Sequence, residues 1–425
     1  MRRLFALLFL ASTLAAVEPE RGMLVEHVAT MADGAQTYTL YLPTAYDAKR
    51  KHPLLFVFDP RGRGSQAAEI FRDGAEEFGW IVISSNGTRS DDDGEPNDRA
   101  VRALLPEVKR YSVDTRRVYA AGFSGTAIMA WGVGVRNGVL AGVIGVGGRL
   151  VDVLPPSRFS FAHYGFAGET DFNNREMRLI DAMLTESGKV PHRFESFAGA
   201  HEWITPARAL KALEWFEVLA TKEERGAYES DVGFAAALER AGKLPEALRR
   251  YREIVRTFDG IAPIDAARSA LARLEVDPAT QAALRDEAKW DAFEAQFIRE
   301  VVAAVPRIYA AARQEGMALT PSHIAQQLRI SELKRRARRT GAESLAARRL
   351  LEAIYGQTAI RLPEQLVARK EYTFAAATLG VAADIHRDRW FPWYRLSEVY
   401  AQAGQAKRAR EALEQARARG YRDVK

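Results

Sequence analysis

The pattern of hydrophobic and polar positions changes near the middle of the chain. Before about Thr221, short β-branched or aromatic runs alternate with amphipathic stretches, whereas after it only helical periodicity continues. Alternating strands and helices predict a mostly parallel sheet with helices on both faces. The turn residues Ala32-Asp33-Gly34 predict that the first two strands form an antiparallel hairpin at one edge. The expected strands are Met23–Thr30, Thr37–Leu42, Leu54–Phe58, Trp80–Ser84, Arg117–Ala121, Ala141–Val146, Phe161–Ala167 and Arg193–Phe197.

The second half of the chain contains an internal repeat. Ala375 and Leu379 recur as Ala409 and Leu413, which lie 34 residues further on. Similar spacing of small and aromatic residues around a central glycine occurs at both ends of this half, in residues 237–251 and 393–413. This pattern resembles the tetratricopeptide consensus, which implies stacked helical hairpins with a period of about 34 residues. The resemblance is weak in the middle of this half, over residues 278–367, so a generic helical bundle is the alternative.

The N-terminus has the three parts of a signal peptide. Arg2 and Arg3 precede an apolar run over Leu4–Leu10 and a stretch of mostly small residues. Cleavage after Ala15 would put small or compact residues, Thr13 and Ala15 itself, at the −3 and −1 positions. A buried helix is the alternative interpretation. The predicted segments are a signal peptide over residues 1–16, a domain of alternating strands and helices over residues 17–221 and a helical domain over residues 222–425.

Composition narrows the location and the partners. The chain has no cysteine, which excludes a disulfide, a thiol nucleophile, a cysteine-bound metal and a lipid anchor on cysteine. Its net charge of +6 is small for 425 residues and does not favour nucleic acid as a partner. No internal apolar run approaches the roughly 20 residues of a membrane-spanning helix. We therefore expect a periplasmic or secreted protein with no cofactor, no metal site and no membrane span.

The clearest chemical signal is a strand that runs into Gly122-Phe123-Ser124-Gly125-Thr126 and then into an apolar helix. A serine between small residues at such a turn is typical of a nucleophile elbow, which exposes the hydroxyl at the carboxyl end of the sheet. The helix that follows would direct free N–H groups at the reacting centre. Thr126 departs from the usual glycine or alanine. A serine in an ordinary strand–helix loop is the alternative.

A carboxylic acid and a histidine follow at the ends of later strands. Asp171 comes just after the strand that ends at Ala167, with Glu169 as the alternative acid, although Asp171 also suits a helix N-cap. His201 lies in a glycine-containing loop after the last expected strand. His163 is a poorer base, because it lies inside a strand and before the acid. The chain order of serine, acid and histidine is that of an α/β-hydrolase triad.

The residues around this triad resemble one branch of the α/β-hydrolases. The segment Tyr111–Ser124 and the segment Gly199–Trp203 are similar to signatures of the polyhydroxybutyrate-depolymerase and feruloyl/acetyl-xylan-esterase-like branch. The resemblance extends roughly from residue 54 to residue 219. It implies Ser124 as the nucleophile, His201 as the base and Asp171 as the acid that orients the histidine. It also implies cleavage of carboxylic esters after export.

An enzyme of this kind needs an oxyanion hole with two donors. The backbone N–H of Gly125, the residue after the serine, is the first expected donor. The loop over residues 59–64 should supply the second from Arg61 or Gly62, because its proline has no N–H. Relatives often have His-Gly in this loop, so the chain departs from the family pattern here. The residues expected to contact the substrate are Phe123 and Trp203.

Three functions are compatible with these patterns. The preferred one is an exported serine esterase that acts on an ester-bearing small molecule or polymer, while its helical repeats dock a protein or peptide partner or position the substrate. An alternative is a catalytically inactive hydrolase-fold scaffold whose repeats bind the partner, which Thr126 and the unusual loop favour. A serine peptidase is the other alternative, because it uses the same chemistry.

The signal peptide can be tested directly. Because the basic, apolar and small-residue segments occur in the order that signal peptidase requires, we expect the mature chain to begin at Ala16 or Val17. Intact-mass spectrometry of the exported protein measures this start. An exported chain that retains Met1 would contradict the prediction.

Overall fold

The computed structural model describes residues 20–90 and 95–422, so the predicted signal peptide lies outside the described residues. Within these ranges, the first half forms an eight-stranded sheet with the order β1-β2-β4-β3-β5-β6-β7-β8. The strands are β1 Leu24–Ala29, β2 Thr37–Tyr41, β3 His52–Phe58, β4 Ile81–Ser85, β5 Val113–Phe123, β6 Gly142–Val146, β7 Ala162–Gly168 and β8 His192–Phe197.

The sheet is mostly parallel, as the sequence predicts. Strand β2 runs antiparallel to both β1 and β4, and the remaining neighbours are parallel. All eight expected strands are present, and the hairpin at the edge is confirmed. Strand β5 begins earlier than expected, at Val113, because its first residue pairs with His52 before a register irregularity. The carboxyl ends of β5 to β8 lie at one edge of the sheet.

Helices cover both faces of this sheet. Along β3, Leu54, Phe56 and Phe58 belong to one hydrophobic core, whereas Leu55 and Val57 belong to the other, as alternation along a strand requires. The helices of this half are α1 Gly64–Phe78, α2 Glu95–Leu104, α3 Gly125–Asn137, α4 Asn174–Ser187 and α5 Pro206–Thr221. Helices α1 and α5 pack on the second face, and α3 and α4 pack on the first.

The chain after α5 is all helical in its described part. The predicted fold class, an α/β-hydrolase sheet followed by a helical region, is confirmed. No described helix is both long and apolar enough to cross a membrane. The helices of this half are α6 Ala227–Arg240, α7 Leu244–Phe258, α8 Asp265–Val276, α9 Pro278–Glu300, α10 Val305–Gln314, α11 Pro321–Gln327, α12 Ile330–Ala337, α13 Gly341–Gly356, α14 Leu362–Ala368, α15 Tyr372–Ile385, α16 Phe391–Gln402 and α17 Ala406–Ala418.

Helical hairpins with the same turn occur at both ends of this region. In the turns before α7, α15 and α17, a backbone N–H donates to the carbonyl oxygen five residues earlier, a bond that Met317 also makes to Ala312 in the middle of the region, at 2.9 Å. Between these ends the helices vary from 7 to 23 residues, and a π-helical segment over Gln357–Arg361 follows α13. The tetratricopeptide assignment stays a prediction. The bonds, with the N–H donor first, are Lys243 to Leu238 (3.0 Å), Glu371 to Leu366 (2.8 Å) and Gln405 to Tyr400 (2.8 Å).

Helix α7 covers the outer edge of β8. The N–H of Phe194 donates to Oε1 of Glu253 at 3.0 Å, and the carbonyl oxygen of His192 accepts from Nη2 of Arg256 at 2.7 Å. An edge strand normally leaves such groups to solvent or to another strand. Two side chains of α7 therefore satisfy backbone groups that β7, on the other side of β8, does not reach.

Buried ion pairs join the two halves at the same place. Nη2 of Arg250 in α7 lies 3.1 Å from Oε2 of Glu195 in β8, and its Nη1 lies 3.4 Å from Oε2 of Glu253. Arg193 in β8 pairs at 2.5 Å with Asp231 in α6. No side chain in this cluster is more than 14% exposed. Charges buried to this degree require their partners, because water no longer compensates them.

The buried cluster predicts a large effect of one substitution. We expect Arg250→Ala to lower the free energy of unfolding by about 3–5 kcal/mol, because it leaves buried carboxylates without their cation. Denaturant unfolding followed by circular dichroism measures the change. Arg225→Ala is the control, since Arg225 pairs with Glu223 in an ion pair whose side chains are 56% and 59% exposed, and it should cost less than about 1 kcal/mol. Equal losses in the two variants would contradict the role of the cluster.

Candidate active site

Ser124 lies at the turn between β5 and α3 in a strained backbone conformation. Its φ is 58° and its ψ is −125°, a combination that residues with a side chain rarely adopt. The N–H of Ser124 donates to the carbonyl oxygen of Val146 at 2.8 Å, which fastens the turn to the end of β6. This is the geometry of a nucleophile elbow, with the hydroxyl carried above the carboxyl end of the sheet.

Thr126, which departs from the family pattern, is fully buried beneath the elbow. Its hydroxyl donates to the carbonyl oxygen of Phe58 at 2.6 Å and accepts from the N–H of Phe123 at 3.1 Å. The hydroxyl therefore ties the elbow to the end of β3, the neighbouring strand. Threonine fits here because every polar group that it buries has a partner.

His201 connects Ser124 with Asp171. Its Nε2 lies 2.9 Å from Oγ of Ser124, and its Nδ1 lies 3.0 Å from both carboxylate oxygens of Asp171. The imidazole packs against the rings of Phe123 and Phe172, whose centroids are 4.6 Å and 4.3 Å away. The three residues that the sequence singles out are thus in hydrogen-bond contact, in the order that a general base between nucleophile and acid requires.

Asp171 is fully buried and is held by its neighbours. Its Oδ1 accepts from the N–H of Asn173 at 2.8 Å, and the Asn173 side chain donates to the carbonyl oxygen of Gly147 at 2.7 Å. Gly147 follows β6 with a φ of +54°, and a Cβ there would lie 2.6 Å from Oδ2 of Asp171 and 3.2 Å from Nδ1 of His201. The acid and the base therefore have room to meet only because residue 147 has no side chain.

The alternative acid and base lie elsewhere. The Glu169 carboxylate pairs with Lys243 in the turn between α6 and α7, and the carbonyl oxygen of Glu169 accepts from Arg349 at 3.4 Å. His163 is buried inside β7, where its ring packs 5.9 Å from that of Trp131, and burial lowers its pKa to about 3. Asp171 rather than Glu169 contacts His201, and the alternative base does not reach the serine.

The expected oxyanion-hole donors all have acceptors within the protein. The N–H of Gly125 donates to Oγ of Ser90 at 3.1 Å. The N–H of Arg61 donates to Oδ1 of Asp59 at 2.8 Å, and the N–H of Gly62 donates to the carbonyl oxygen of Asp59 at 3.2 Å. Asp59 thus accepts the hydrogens of both Arg61 and Gly62 in this structure, and the assignment of the second donor stays a prediction.

Asp59 organises the loop after β3 through its buried carboxylate. Only 1% of it is exposed, and its carboxylate accepts from Arg63 at 3.0 Å and from Nε1 of Trp203 at 2.9 Å. Burial raises the pKa of Asp59, but the bonds from Arg63 and Trp203 outweigh it and hold the pKa below its ordinary value. Trp203 thus braces the loop, while its ring lies 5.6 Å from that of Phe123 beside the histidine.

No cluster of three or more histidine, aspartate or glutamate side chains suited to a metal ion occurs in the described ranges. Four residues to which the sequence analysis assigns no role contact the candidate triad or the loops beside it: Asp59, Ser90, Gly147 and Asn173. Asp59 has a local signal, as an acid at the end of a buried strand next to the candidate oxyanion loop, and Ser90 lies in a polar loop that follows a strand. Ser90 and Gly147 contact the candidate site from loops that are distant in sequence, whereas Asn173 bonds Asp171 within the same loop.

No protein-family profile matches the sequence, and no curated protein matches it. Among solved structures, a thermostable esterase shares 16% identity with a TM-score of 0.37, over 45% of this chain and 60% of that one. A ferulic acid esterase shares 15% identity with a TM-score of 0.36, over 45% of this chain and 96% of that one. An acylaminoacyl peptidase from Pyrococcus horikoshii shares 10% identity with a TM-score of 0.34, over 46% of this chain and 40% of that one.

The close approach at Gly147 can be tested with a matched pair of variants. We expect Gly147→Ala to slow the labelling of Ser124 by a fluorophosphonate about 10²-fold, because the new methyl group displaces Asp171 and His201. Gly138→Ala is the control, since Gly138 also has a positive φ, +63°, but a Cβ there meets nothing within 4 Å. Both variants should lose about 1–2 kcal/mol of stability from the backbone alone. Equal labelling rates would show that the contact at residue 147 does not matter.

Proposed function

We propose that this protein is a serine hydrolase that cleaves carboxylic esters through an acyl-enzyme. The observation that carries the proposal is the continuous hydrogen-bond chain from Ser124 through His201 to the buried carboxylate of Asp171, at distances of 2.9 Å and 3.0 Å. A serine and a histidine without a catalytic role seldom form such a chain, in which the histidine is hydrogen-bonded to the serine on one side and to an acid on the other. The strained conformation of Ser124 adds support, because such strain is typical of functional turns.

In the proposed mechanism, Oγ of Ser124 attacks the ester carbonyl while Nε2 of His201 accepts the hydroxyl proton. The tetrahedral intermediate then collapses, and His201 returns that proton to the departing alcohol. Water, activated by the same histidine, cleaves the acyl-enzyme and releases the acid. Asp171 accepts the Nδ1 hydrogen, which fixes the tautomer and stabilises the imidazolium that forms in each step.

The surroundings of His201 favour this role. The Phe123 and Phe172 rings pack against the imidazole, at 4.6 Å and 4.3 Å, so it loses little conformational freedom during the reaction. The same aromatic side chains, with Trp203, give the site apolar walls that suit the acyl or alcohol group of an ester. An ester-bearing small molecule or polymer is the proposed substrate class.

The remaining parts of the proposal concern the rest of the chain. We assign residues 1–16 to a signal peptide, residues 17–221 to the hydrolase domain and residues 222–425 to a helical domain, with export to the periplasm or the medium. The turns that recur 34 residues apart, before α15 and α17, support a tetratricopeptide-like arrangement. Such an array offers a surface to a protein or peptide partner.

The catalytically inactive scaffold is the second candidate function. The observation in its favour is that the N–H groups of Arg61, Gly62 and Gly125 all have acceptors inside the protein. A serine peptidase would share the proposed chemistry, and an aminoacyl anilide substrate separates it from an esterase.

The triad predicts a graded set of losses. Wild-type protein should hydrolyse a short-chain aryl ester, and Ser124→Ala should abolish nearly all turnover and all fluorophosphonate labelling. His201→Ala should cost about as much, because the residues of a triad act as a unit. Asp171→Asn should lower kcat by about 10⁴-fold, because it holds the histidine in the wrong tautomer.

Glu169→Gln is the matched control for Asp171→Asn. It changes the other acid of the same loop, whose carboxylate pairs with Lys243 and not with His201, and it should leave kcat within about threefold of wild type. Each variant is checked by circular dichroism for retention of the fold. Absence of turnover and labelling in the wild type would favour the scaffold. Loss of activity in Glu169→Gln alone would reassign the acid.

A further inference from the structure

The loop after β3 cannot readily release a donor for the oxyanion hole. Oδ1 of the Asp59 carboxylate accepts three hydrogen bonds from this loop. The donors are the backbone N–H of Arg61, the backbone N–H of Arg63 and Nε of Arg63. Turning the Arg61 N–H toward a substrate would break its bond to a buried charge, and bonds of this kind are the stronger ones in proteins. The Gly62 N–H is also engaged, at 3.2 Å from the carbonyl oxygen of Asp59. A second donor from another part of the site would require neither bond to break.

The loop after β4 places the hydroxyl of Ser90 beside the first expected oxyanion-hole donor, the Gly125 N–H. Oγ of Ser90 lies 3.1 Å from the Gly125 nitrogen and accepts its hydrogen. The N–H of the residue after the nucleophile is where an α/β-hydrolase binds the carbonyl oxygen of its substrate. The Ser90 hydroxyl thus stands at the mouth of the oxyanion hole, in contact with the first donor.

Several contacts hold Ser90 at this point. Its own N–H donates to the carbonyl oxygen of Pro60 at 2.9 Å, and the buried Thr88 hydroxyl donates to the carbonyl oxygen of Asp59 at 2.9 Å. The two loops lie so close that a Cβ at Gly62 or at Gly64 would collide with Asn86. Glycine is therefore needed at positions 62 and 64 because the loop that carries Ser90 packs directly against them.

We propose that the Ser90 hydroxyl is the second donor of the oxyanion hole, an inference that rests on the proposed ester hydrolysis. The hydroxyl accepts from the Gly125 N–H, and a serine hydroxyl that accepts one hydrogen bond still carries a hydrogen of its own to donate. When a substrate carbonyl enters, its oxygen accepts the Gly125 N–H in place of Ser90. Rotation of the Ser90 side chain then directs its O–H at the same oxygen.

The donor role becomes stronger as the reaction proceeds. Attack by Ser124 places a negative charge on the carbonyl oxygen, and hydrogen bonds to a charged oxygen are shorter and stronger than those to a neutral carbonyl. Ser90 exchanges no proton with the substrate, so it only stabilises the intermediate. The alternative is that the Ser90 hydroxyl only occupies the oxyanion hole and blocks the carbonyl oxygen of the substrate from reaching the Gly125 N–H.

Substitution of Ser90 distinguishes the two roles by the direction of the effect. For a donor, Ser90→Ala should lower kcat for the aryl ester by about 10²–10³-fold, the usual loss of one oxyanion donor, with KM changed by less than about threefold. Ser90→Thr keeps a hydroxyl and should retain kcat within about tenfold of wild type. Thermal unfolding should show that both variants remain folded.

A transition-state analogue gives a readout that a purely structural role would not change. An aryl trifluoromethyl ketone forms a hemiketal oxyanion with the serine, so its Ki should rise in Ser90→Ala by the same factor by which kcat falls. Unchanged or increased kcat in Ser90→Ala, beside an active wild type, would overturn the donor role alone. A wild type without turnover or labelling would overturn the proposed function and this inference together.

Discussion

The parallel register of β5 to β8 is the constraint on which the candidate site depends. Phe123 at the end of β5 pairs with Val146, Val146 pairs with Phe166, and the end of β8 pairs with Gly168. Because these strands finish at one edge, the loops after them supply the serine, the glycine, the acid and the histidine in a row. Their side chains meet without any long excursion of the chain. A shift of one residue in any of these strands would point the strand's side chains to the wrong face and move its loop.

Much of this arrangement can be predicted from the sequence because it depends on local patterns. The strands can be recognised in the sequence as short apolar runs, because a strand in a parallel sheet is buried on both faces. The elbow has small residues around Ser124, and the acid and histidine each follow a strand. Knowing that carboxyl ends meet at one edge is then enough to place Ser124, Asp171 and His201 together. The fold class and the pairing of these three residues follow from that geometry.

The oxyanion region could not be predicted in the same way. The sequence suggests Arg61 and Gly62 as donors from their place after β3, but it does not show that Asp59 turns inward and takes their hydrogens. Ser90 reaches Gly125 from 35 positions away in the chain, through a loop whose path depends on contacts with Pro60. Donor availability is a property of three-dimensional hydrogen bonding, so no spacing rule reveals it.

The contact between the halves also escapes sequence patterns. Glu195 and Arg250 are 55 positions apart, and each looks like an ordinary surface charge on its own element. Only the seating of α7 on β8 buries them together. The helical region is consequently part of the environment of the sheet, and it reaches the loop of the candidate acid as well, since Lys243 pairs with Glu169 two residues before Asp171.

The structure of the two edge strands, β1 and β8, affects how readily copies of this protein associate. At β8, Glu253 and Arg256 bond two backbone groups that face outward, the Phe194 N–H and the His192 carbonyl oxygen, so a strand from another molecule cannot pair there without breaking these bonds. At β1, the register is irregular between Val25 and Val28, and the exposed Glu26 lies within the irregularity. Irregular, charged edges resist the addition of a strand. Copies of this protein are therefore protected at both edges against joining into a continuous intermolecular sheet, the route by which many β-rich chains aggregate.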